Sequence, residues 1–477
     1  MTGNAKLVEH ITARGADFGQ WYTDVVKKAA LIDYSSVKGC VILRPYAYAI
    51  WENIQKALDG MLKRTGHENV YMPLLIHESL LQREKDLVAG FAPEVAWVTH
   101  GGHEKLTERL CIRPTSETLF CEHYRNIIHS WRDLPKKYNQ WCSVVRWEKS
   151  TRPFLRHREF LWQEGHTIHA TADEAMRETL DMLDIYAELC EEWLAMPVIK
   201  GPKTESEKFP GAHSTYAIEC MMHDGIGLQA GTTHYFEDTF ARAFEIQYAD
   251  KNNKMTYPFQ TSWGVTTRLI GGIIMVHGDD SGLILPPRIA PVQVGIVPVA
   301  AHKEGVLEAA SKLKERLLAA GIRADMDASD QSPGWKFAEY EMKGVPLRLE
   351  IGPRDLANGA CMLARRDTGL KSPASLEGIE TGIAGLLDDI QQGLLSRARE
   401  NLKARTVSAL SIDEMKARTE KGFIKSMWCG SGACEEAVKE STGMKSRCIP
   451  FEQERISDTC VCCGKPADKM LVFGFQY

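Results

Sequence analysis

In the stretch AYAIWENIQKALDGMLKRTGHENVYMPLLI, which begins at Ala47, apolar residues recur at three- and four-residue intervals. That spacing predicts a long helix, a stop at Gly66 and a strand ending at Pro73. Residues 1 to about 35 carry a similar amphipathic pattern and read as helical. Alternation takes over in KKYNQWCSVVRWE and RHREFLWQEGHTIHA, which read as two strands joined by the loop KSTRPFL. ADEAMRETLDMLDIYAELCEEWLAM returns to helical spacing, with Asp173 or Thr171 as its cap and Pro197 beyond its end.

The pattern changes at LILPPRIAPVQVGIVPV, where Pro286, Pro287 and Pro291 suit a linker. Beyond it the periodicity predicts a strand over 292–299, a helix over 303–320, a strand over 322–327 and a helix near Trp335. Two more strands, VPLRLEI and GACMLARR, and a helix near 380–405 complete an α/β unit. From about residue 406 the chain is rich in Cys and Gly and reads as a third, small module. The expected divisions are 1–285, 286–405 and 406–477.

A chain of 477 residues is long for one domain, which agrees with that division. An apolar share of 44% and a charged share of 25% are ordinary for a globular protein with a core of its own. Net charge is −5, so any nucleic-acid contact has to come from a local basic face. No internal repeat or low-complexity tract interrupts the chain, and the N-terminus lacks the profile of a signal peptide. No apolar run reaches the roughly 20 residues a membrane span needs. The thirteen cysteines follow no short secreted framework, so the expected setting is cytoplasmic, with reduced thiols. Clustered cysteines then read as metal ligands.

Four of them form such a cluster. Cys429 and Cys434 are spaced C-x4-C, and Cys460 and Cys463 C-x2-C, the pattern of a tetrahedral, structural zinc site. Cys462 competes for the last place, and Cys448 also lies nearby in sequence. His169, His213 and His223 show no recognised ligand spacing and read as structural. GIGLQAG mimics a glycine-rich nucleotide fingerprint, but its spacing is off and it does not follow a clear strand.

The densest chemistry lies in PFLRHREFLWQEGHTIHA. On a strand, Arg156, Arg158, Phe160, Trp162, Glu164 and His166 would share one face, with Arg146 and Glu148 closing the preceding strand. Arginine forks grip phosphate oxygens, and aromatic rings stack on bases. Those residues alone leave two readings open, a nucleotide site or the solvated face of an edge strand.

The wider order of motifs decides between them. RWE, a loop and RHREF resemble motif 2 of the class II aminoacyl-tRNA synthetases. SWGVTTRLIGGIIMVHGDDSGLILPPRIAP resembles motif 3, and GHENVYMPLL with Pro73 resembles motif 1. With RPTSET, QAGTTHYF, FLWQEGH and a Cys-rich terminal module ending in Tyr, the chain resembles the prolyl-tRNA synthetases of archaeal and eukaryotic type along nearly its whole length.

The resemblance implies an α+β fold: an antiparallel catalytic sheet flanked by helices, an α/β anticodon-binding domain and a small α/β zinc-binding C-terminal module. It implies ATP-dependent ligation of L-proline to tRNA(Pro) through prolyl-adenylate, with ATP and Mg²⁺ as cofactors and zinc as a structural ion. Catalysis in such a reaction is mostly positioning and charge stabilisation, which suits many arginines and no nucleophile. By resemblance Arg146, Arg156 and Arg268 are catalytic. Arg146 faces the α-phosphate and the amino-acid carboxylate. Glu148 reads adenine, Arg156 and His157 hold the outer phosphates, and Phe160 and Arg268 sandwich the base. Gln229, Thr232 and Thr266 line the nucleotide side. The proline pocket is assigned to Thr115, Glu117, Arg146, Trp162, Glu164, His166, His234, Ser262 and Gly264. In the second domain Arg348, Glu350 and Arg354, beside Asp355, are the expected anticodon readers.

Motif 1, with Pro73 and the helix before it, implies a homodimer. A threonyl enzyme would need a selecting metal, for which no ligand set is visible. A catalytically dead paralogue conflicts with Arg146, Arg156 and Arg268, and the terminal module is too small to support a zinc-dependent nucleic-acid-binding protein. The segment from His166 to Ser262 is too short for an inserted editing domain of ordinary size. A pocket for a small ring rejects cysteine and alanine weakly, since a methylene or two is worth about 1–3 kcal/mol. Misactivation of both, without internal editing, is therefore expected.

Overall fold

The computed structural model describes residues 11–87 and 95–477. A seven-stranded sheet forms the centre of the first region. In spatial order it runs Glu68–Asn69, Lys136–Val145, Glu159–His169, Phe259–Thr266, Gly227–Tyr235, Ser214–Met221 and Val198–Pro202. Only the first pair is parallel. Helices Pro45–Arg64, Ala172–Glu188 and Arg268–His277 bury an apolar stripe against it, through Trp51, Ile54, Leu58, Met182, Tyr186 and Ile270. Thr171, not Asp173, caps the 172–188 helix by accepting from the Glu174 N–H at 3.2 Å. One close approach fixes the middle of the sheet. A Cβ on Gly165 would stand 1.9 Å from the Trp263 ring, so only glycine lets that indole lie against the strand.

The N-terminal expectation needs correction. Among the described residues the helix covers only Phe18–Lys28, and a short hairpin, Ile32–Tyr34 with Val41–Leu43, follows. Residues 1–10 lie outside the described part. Before Pro73 the regular strand shrinks to Glu68–Asn69, because Val70 and Met72 hydrogen-bond to Asn139 O and the Gln140 side chain singly. A three-stranded sheet of Leu75–His77, Glu104–Ile112 and Trp97–Gly101 stands beside the main one.

The proline-rich stretch is not a loose linker. Leu283 and Leu285 donate to Met342 O and Gly344 O, and Arg323 donates to the carbonyls of Pro287, Arg288 and Ala290. The proline-limited backbone leaves carbonyls to be satisfied, and Arg323 meets them. Next comes a five-stranded sheet ordered Ala324–Met326, Val294–Pro298, Leu347–Ile351, Ala360–Arg365 and Lys371–Ser375, parallel at one side and antiparallel at the other. Helix Ile379–Arg405 runs from its core towards the catalytic region, where Gln391 and Arg399 reach Glu192 and Glu191.

The last module is a four-stranded sheet, Thr406–Ser408, Phe423–Trp428, Lys469–Gly474 and Lys445–Cys448. It docks on the far edge of the catalytic sheet. Ile449 N–H donates to Pro202 O on the edge strand at 2.9 Å, and at the start of the 227–235 strand Gly227 N–H donates to Phe475 O at 2.8 Å and accepts at its carbonyl from Tyr477 N–H at 3.1 Å. Beneath this contact Glu219 accepts from Lys203 Nζ at 2.8 Å and from Arg447 Nε at 3.0 Å, all three buried.

Candidate active site

Register in the central sheet assembles the site. The 136–145 and 159–169 strands place Gln140 opposite Glu164 and Cys142 opposite Trp162. On the other side, the 159–169 strand pairs with the 259–266 strand, bringing Glu164 beside Gly264 and His166 beside Ser262. His234 lies opposite Ser262 on the next strand. A cavity of about 340 Å³ opens over this surface. Every residue assigned from sequence to ATP or proline lines it: Thr115, Glu117, Arg146, Glu148, Arg156, His157, Phe160, Trp162, Glu164, His166, Gln229, Thr232, His234, Ser262, Gly264, Thr266 and Arg268.

One end of the cavity is cationic. Arg146 donates from Nε to Pro114 O at 3.1 Å, and its guanidinium stands 5.6 Å from the Phe160 ring and 5.4 Å from the Trp162 ring. Arg156 Nη1 is 3.5 Å from Glu148 Oε2. Arg268 begins the 268–277 helix and donates to Gln229 O at 3.3 Å. Burial, then the charges of Arg146 and Arg156, push the Arg268 guanidinium down to about 10. Three like charges held together make a place where an anion is favoured.

The other end is a tight polar pocket. Burial raises the cost of ionising Glu164, yet His166, Ser116 and Gln140 together hold its carboxyl below the usual range. His166 Nε2 is 2.9 Å from Glu164 Oε2, and its ring stacks on Phe120 at 4.2 Å. Ser116 Oγ donates to Glu164 Oε1 at 2.5 Å. The Glu117 carboxylate accepts from Thr115 Oγ1 and, at 3.4 Å, from Ser262 Oγ. His234 shares a 3.0 Å hydrogen bond with Thr215 Oγ1 and is pushed down to about 3 by burial and by His166.

Three sequence-based placements change. The strand begins only at Glu159, so Arg156 and Arg158 do not share its alternating face. Arg158 turns instead onto Trp147, 4.3 Å from the ring, and donates to Glu148 O. His157 is buried, and its Nε2 accepts the Phe154 N–H at 3.1 Å. An accepting, buried imidazole is neutral, and burial brings it to about 4, so it adds no charge to the cationic end. Arg348 lies away from this cavity and is 5% exposed, with Glu341 at 3.0 Å, Glu350 at 2.9 Å and Phe337 4.3 Å beneath it. Its fork is filled. Arg354, on the short helix Pro353–Ala357, is exposed.

Sequence reading missed one wall. Glu207, Lys208, Phe209 and Pro210 come from the loop between the 198–202 and 214–221 strands, and Phe209 lies 4.6 Å from the His234 ring. The only available signal was EKFPGAH, a turn-like stretch with an aromatic residue in it.

In the terminal module the thiols of Cys429, Cys434, Cys460 and Cys463 lie within 4.8 Å of one another. Cys429 Sγ is 3.7 Å from Cys434 Sγ and 3.8 Å from Cys463 Sγ. A tetrahedron with Zn–S bonds near 2.3 Å has edges of about 3.8 Å. Cys460 is opposed by burial, but backbone N–H groups of Cys463, Cys462 and Cys429 bring its thiol down to about 7. The donor set fits zinc, and it contains Cys463 rather than Cys462.

Comparison with known proteins agrees with this geometry. The family described as "tRNA synthetase class II core domain (G, H, P, S and T)" matches residues 97–277, "Anticodon binding domain" matches 293–386, and "Prolyl-tRNA synthetase, C-terminal" matches 412–477. The chain is 63% identical over 479 residues to a proline--tRNA ligase of Ruminiclostridium cellulolyticum, and 64% identical over 479 residues to one of Clostridium novyi, with both chains of each pair covered in full. It is 60% identical to proline--tRNA ligase 2 of Bacillus thuringiensis subsp. konkukian, over 98% of this chain and 99% of the relative. With a cationic cleft, a small polar pocket and an anticodon-binding domain in one polypeptide, the chain belongs to the proline--tRNA ligases, class II aminoacyl-tRNA synthetases.

Proposed function

We propose that this chain joins L-proline to tRNA(Pro) in two steps. The proline carboxylate attacks the α-phosphate of ATP, pyrophosphate leaves, and the prolyl group then passes from AMP to the terminal ribose of the tRNA. The observation that carries this reading is the juxtaposition, in one cavity, of the Arg146–Arg156–Arg268 group with a pocket lined by Thr115, Glu117, Glu164, His166 and His234. Arg146 stands where the two ends meet, so one guanidinium serves both the carboxylate and the α-phosphate. Phe160 supplies a flat face for adenine, and Arg268 the opposite one. Thr115 and Glu117 receive the two N–H groups of the secondary ammonium. Gln229 and Thr232 stand nearest the ribose and the metal. Mg²⁺ supplies charge neutralisation on the phosphates when bound, mostly through phosphate oxygens.

The same reading extends to the rest of the chain. The terminal module is a closed, structural zinc site held by Cys429, Cys434, Cys460 and Cys463. With that module and no large insertion between the 159–169 and 259–266 strands, the chain is of the archaeal and eukaryotic architectural type, although the relatives named above are bacterial. Exposed Tyr71, Leu74 and Leu75, next to Pro73, suit burial in a homodimer. Among the described residues no helix is long and apolar enough to cross a membrane, and a cytoplasmic location is proposed. Arg354 and Glu350 face anticodon bases while Arg348 holds Glu350 in place. Cysteine and alanine enter the pocket and are activated, and alanyl-tRNA is not hydrolysed.

Amino-acid-dependent ATP–pyrophosphate exchange tests the core of this. Stimulation by proline, weaker stimulation by cysteine and alanine, and none by threonine are expected. Exchange driven by threonine or serine but not by proline would overturn it. Enzyme-dependent deacylation of alanyl-tRNA(Pro) above the buffer rate would remove the no-editing proposal alone.

A further inference from the structure

Beneath the amino-acid pocket lies a buried carboxamide that the reaction itself does not use. Gln140 is fully buried on the 136–145 strand, directly opposite Glu164. Its Nε2 donates to Glu164 Oε1 at 2.6 Å and to Ser116 Oγ at 3.0 Å. Its Oε1 accepts the Met72 N–H at 2.8 Å. Both donors and one of the two acceptor sites of the amide are thereby engaged, and the donor and acceptor ends cannot be exchanged without breaking three contacts. Arg113, also buried, grips the same segment from the other side by donating to Met72 O at 2.6 Å and to Ser143 O at 3.0 Å.

We infer that Gln140 is a positioning residue for amino-acid recognition, fixing the Glu164 carboxylate in the pocket and tying it to the backbone just before Pro73. This rests on the proposed role of the pocket in binding proline. Without the Gln140 donor, Glu164 keeps Ser116 and His166 as partners, but the side chain gains freedom to rotate about its outer torsions. Its opposite oxygen would then no longer hold His166 at a fixed angle, and the wall of the proline pocket shifts. Gln140 spends its side-chain hydrogen bonds on Glu164, Ser116 and Met72, so the cationic end formed by Arg146, Arg156 and Arg268 should not respond.

Two substitutions test this in the full-length enzyme. Gln140→Leu keeps the bulk and deletes every hydrogen bond. Gln140→Glu keeps an acceptor for the Met72 N–H but turns a second carboxylate onto Glu164, a like-charge contact that disfavours both charges. In pyrophosphate exchange each variant is expected to raise KM for proline at least tenfold while KM for ATP stays within twofold. Gln140→Glu should recover part of its proline affinity as pH is lowered, because a proton shared by the two carboxyls restores the missing donor. Comparison with the native enzyme at each pH removes the contributions of His166 and Cys142, the titratable groups in contact with Glu164. Ser116→Ala, which removes one donor to Glu164 and one acceptor of Gln140 but leaves the Gln140–Glu164 hydrogen bond, should give a smaller shift of the same kind. Equal changes in both KM values, or lowered kcat with unchanged KM for proline, would overturn the inference and leave Gln140 a purely structural residue. A native enzyme that fails to exchange with proline at all would instead remove the proposed function.

Discussion

Two groups of cations sit close together in this protein and differ in setting: Lys203 and Arg447 are buried, whereas Arg146 and Arg268 are half-buried and Arg156 is exposed. At the edge of the catalytic sheet, Lys203 and Arg447 share Glu219, and Arg447 also reaches Gln476. In the cleft, Arg146, Arg156 and Arg268 crowd one end of a cavity, and Arg268 meets a backbone carbonyl rather than a carboxylate. The first group meets its anion within the chain, one carboxylate between two cations. The second opens on the cavity, where the proposed function puts the phosphates of ATP. Burial of an arginine therefore does not by itself mark a site here. What marks one is several guanidinium groups opening together on one cavity, even where one of them, Arg156, has Glu148 at 3.5 Å.

The largest effect is expected where the balance is removed. Glu219→Gln leaves Lys203 and Arg447 buried without their anion, and breaking a buried pair in this way costs about 3–5 kcal/mol. Denaturant midpoints should fall accordingly, with the C-terminal module releasing first. A variant as stable as the native protein would erase the contrast between the groups.

Arg146→Ala should do the reverse. Loss of one charge from a like-charged group leaves the denaturation midpoint nearly unchanged, while pyrophosphate exchange drops by about 10²–10³-fold, as for removal of one donor to a developing anion. If activity and stability fell together, the cleft arginines would be scaffold like Arg447.

The sequence carried the cleft well and the balanced group poorly, for a physical reason. Strand alternation and short-range spacing put Phe160, Trp162, Glu164 and His166 on one face, and the register of the neighbouring strands then brought Ser262 and His234 alongside. Such relations are local in sequence or fixed by one hairpin. Glu219 and Arg447 are 228 positions apart, and nothing near either one announces the other. Loop residues show the same limit. Phe209 enters the cavity and His157 turns away from charge because of backbone turns that periodicity does not encode. Arg348 is an expected base reader because it stands with Glu350, Arg354 and Asp355 at a strand end and turn of a domain resembling an anticodon-binding one, but Glu341 on the preceding helix closes over it.

Buried histidines sharpen the comparison through pH. His157, His169 and His277 are lowered to about 4, and His234 to about 3, by burial first in every case. Their folded values lie below the unfolded value near 6.5, so the unfolded chain binds more protons in between. The stability they permit is complete above about pH 6.5 and is lost as pH falls towards 4. Each adds up to about 1.4 kcal/mol per pH unit in that window. Stability measured from pH 7.5 down to 4.5 should stay flat and then fall steeply, and His277→Gln should make the fall shallower. A flat profile to pH 4.5 would show that these rings are not held neutral.

The smallest effect concerns two arginines six positions apart. Arg348 is saturated by Glu341 and Glu350, whereas Arg354 is exposed on a helix of five residues and makes no ion pair among the described residues. If a guanidinium open to an incoming ligand marks a site, Arg354 and not Arg348 should touch RNA. A single base contact at the weak end is worth about 1 kcal/mol, roughly fivefold in affinity. Arg354→Ala should therefore raise KM for tRNA(Pro) by about that factor. Exchange without tRNA and the denaturation midpoint should remain as in the native enzyme, because the side chain supports nothing else. Arg348→Ala should instead lower stability, since two carboxylates lose their partner and only Lys371 remains near Glu350. The opposite pattern, tRNA affinity lost only in Arg348→Ala with stability intact, would mean that its carboxylates part when RNA binds, and that a filled fork can still be a binding site.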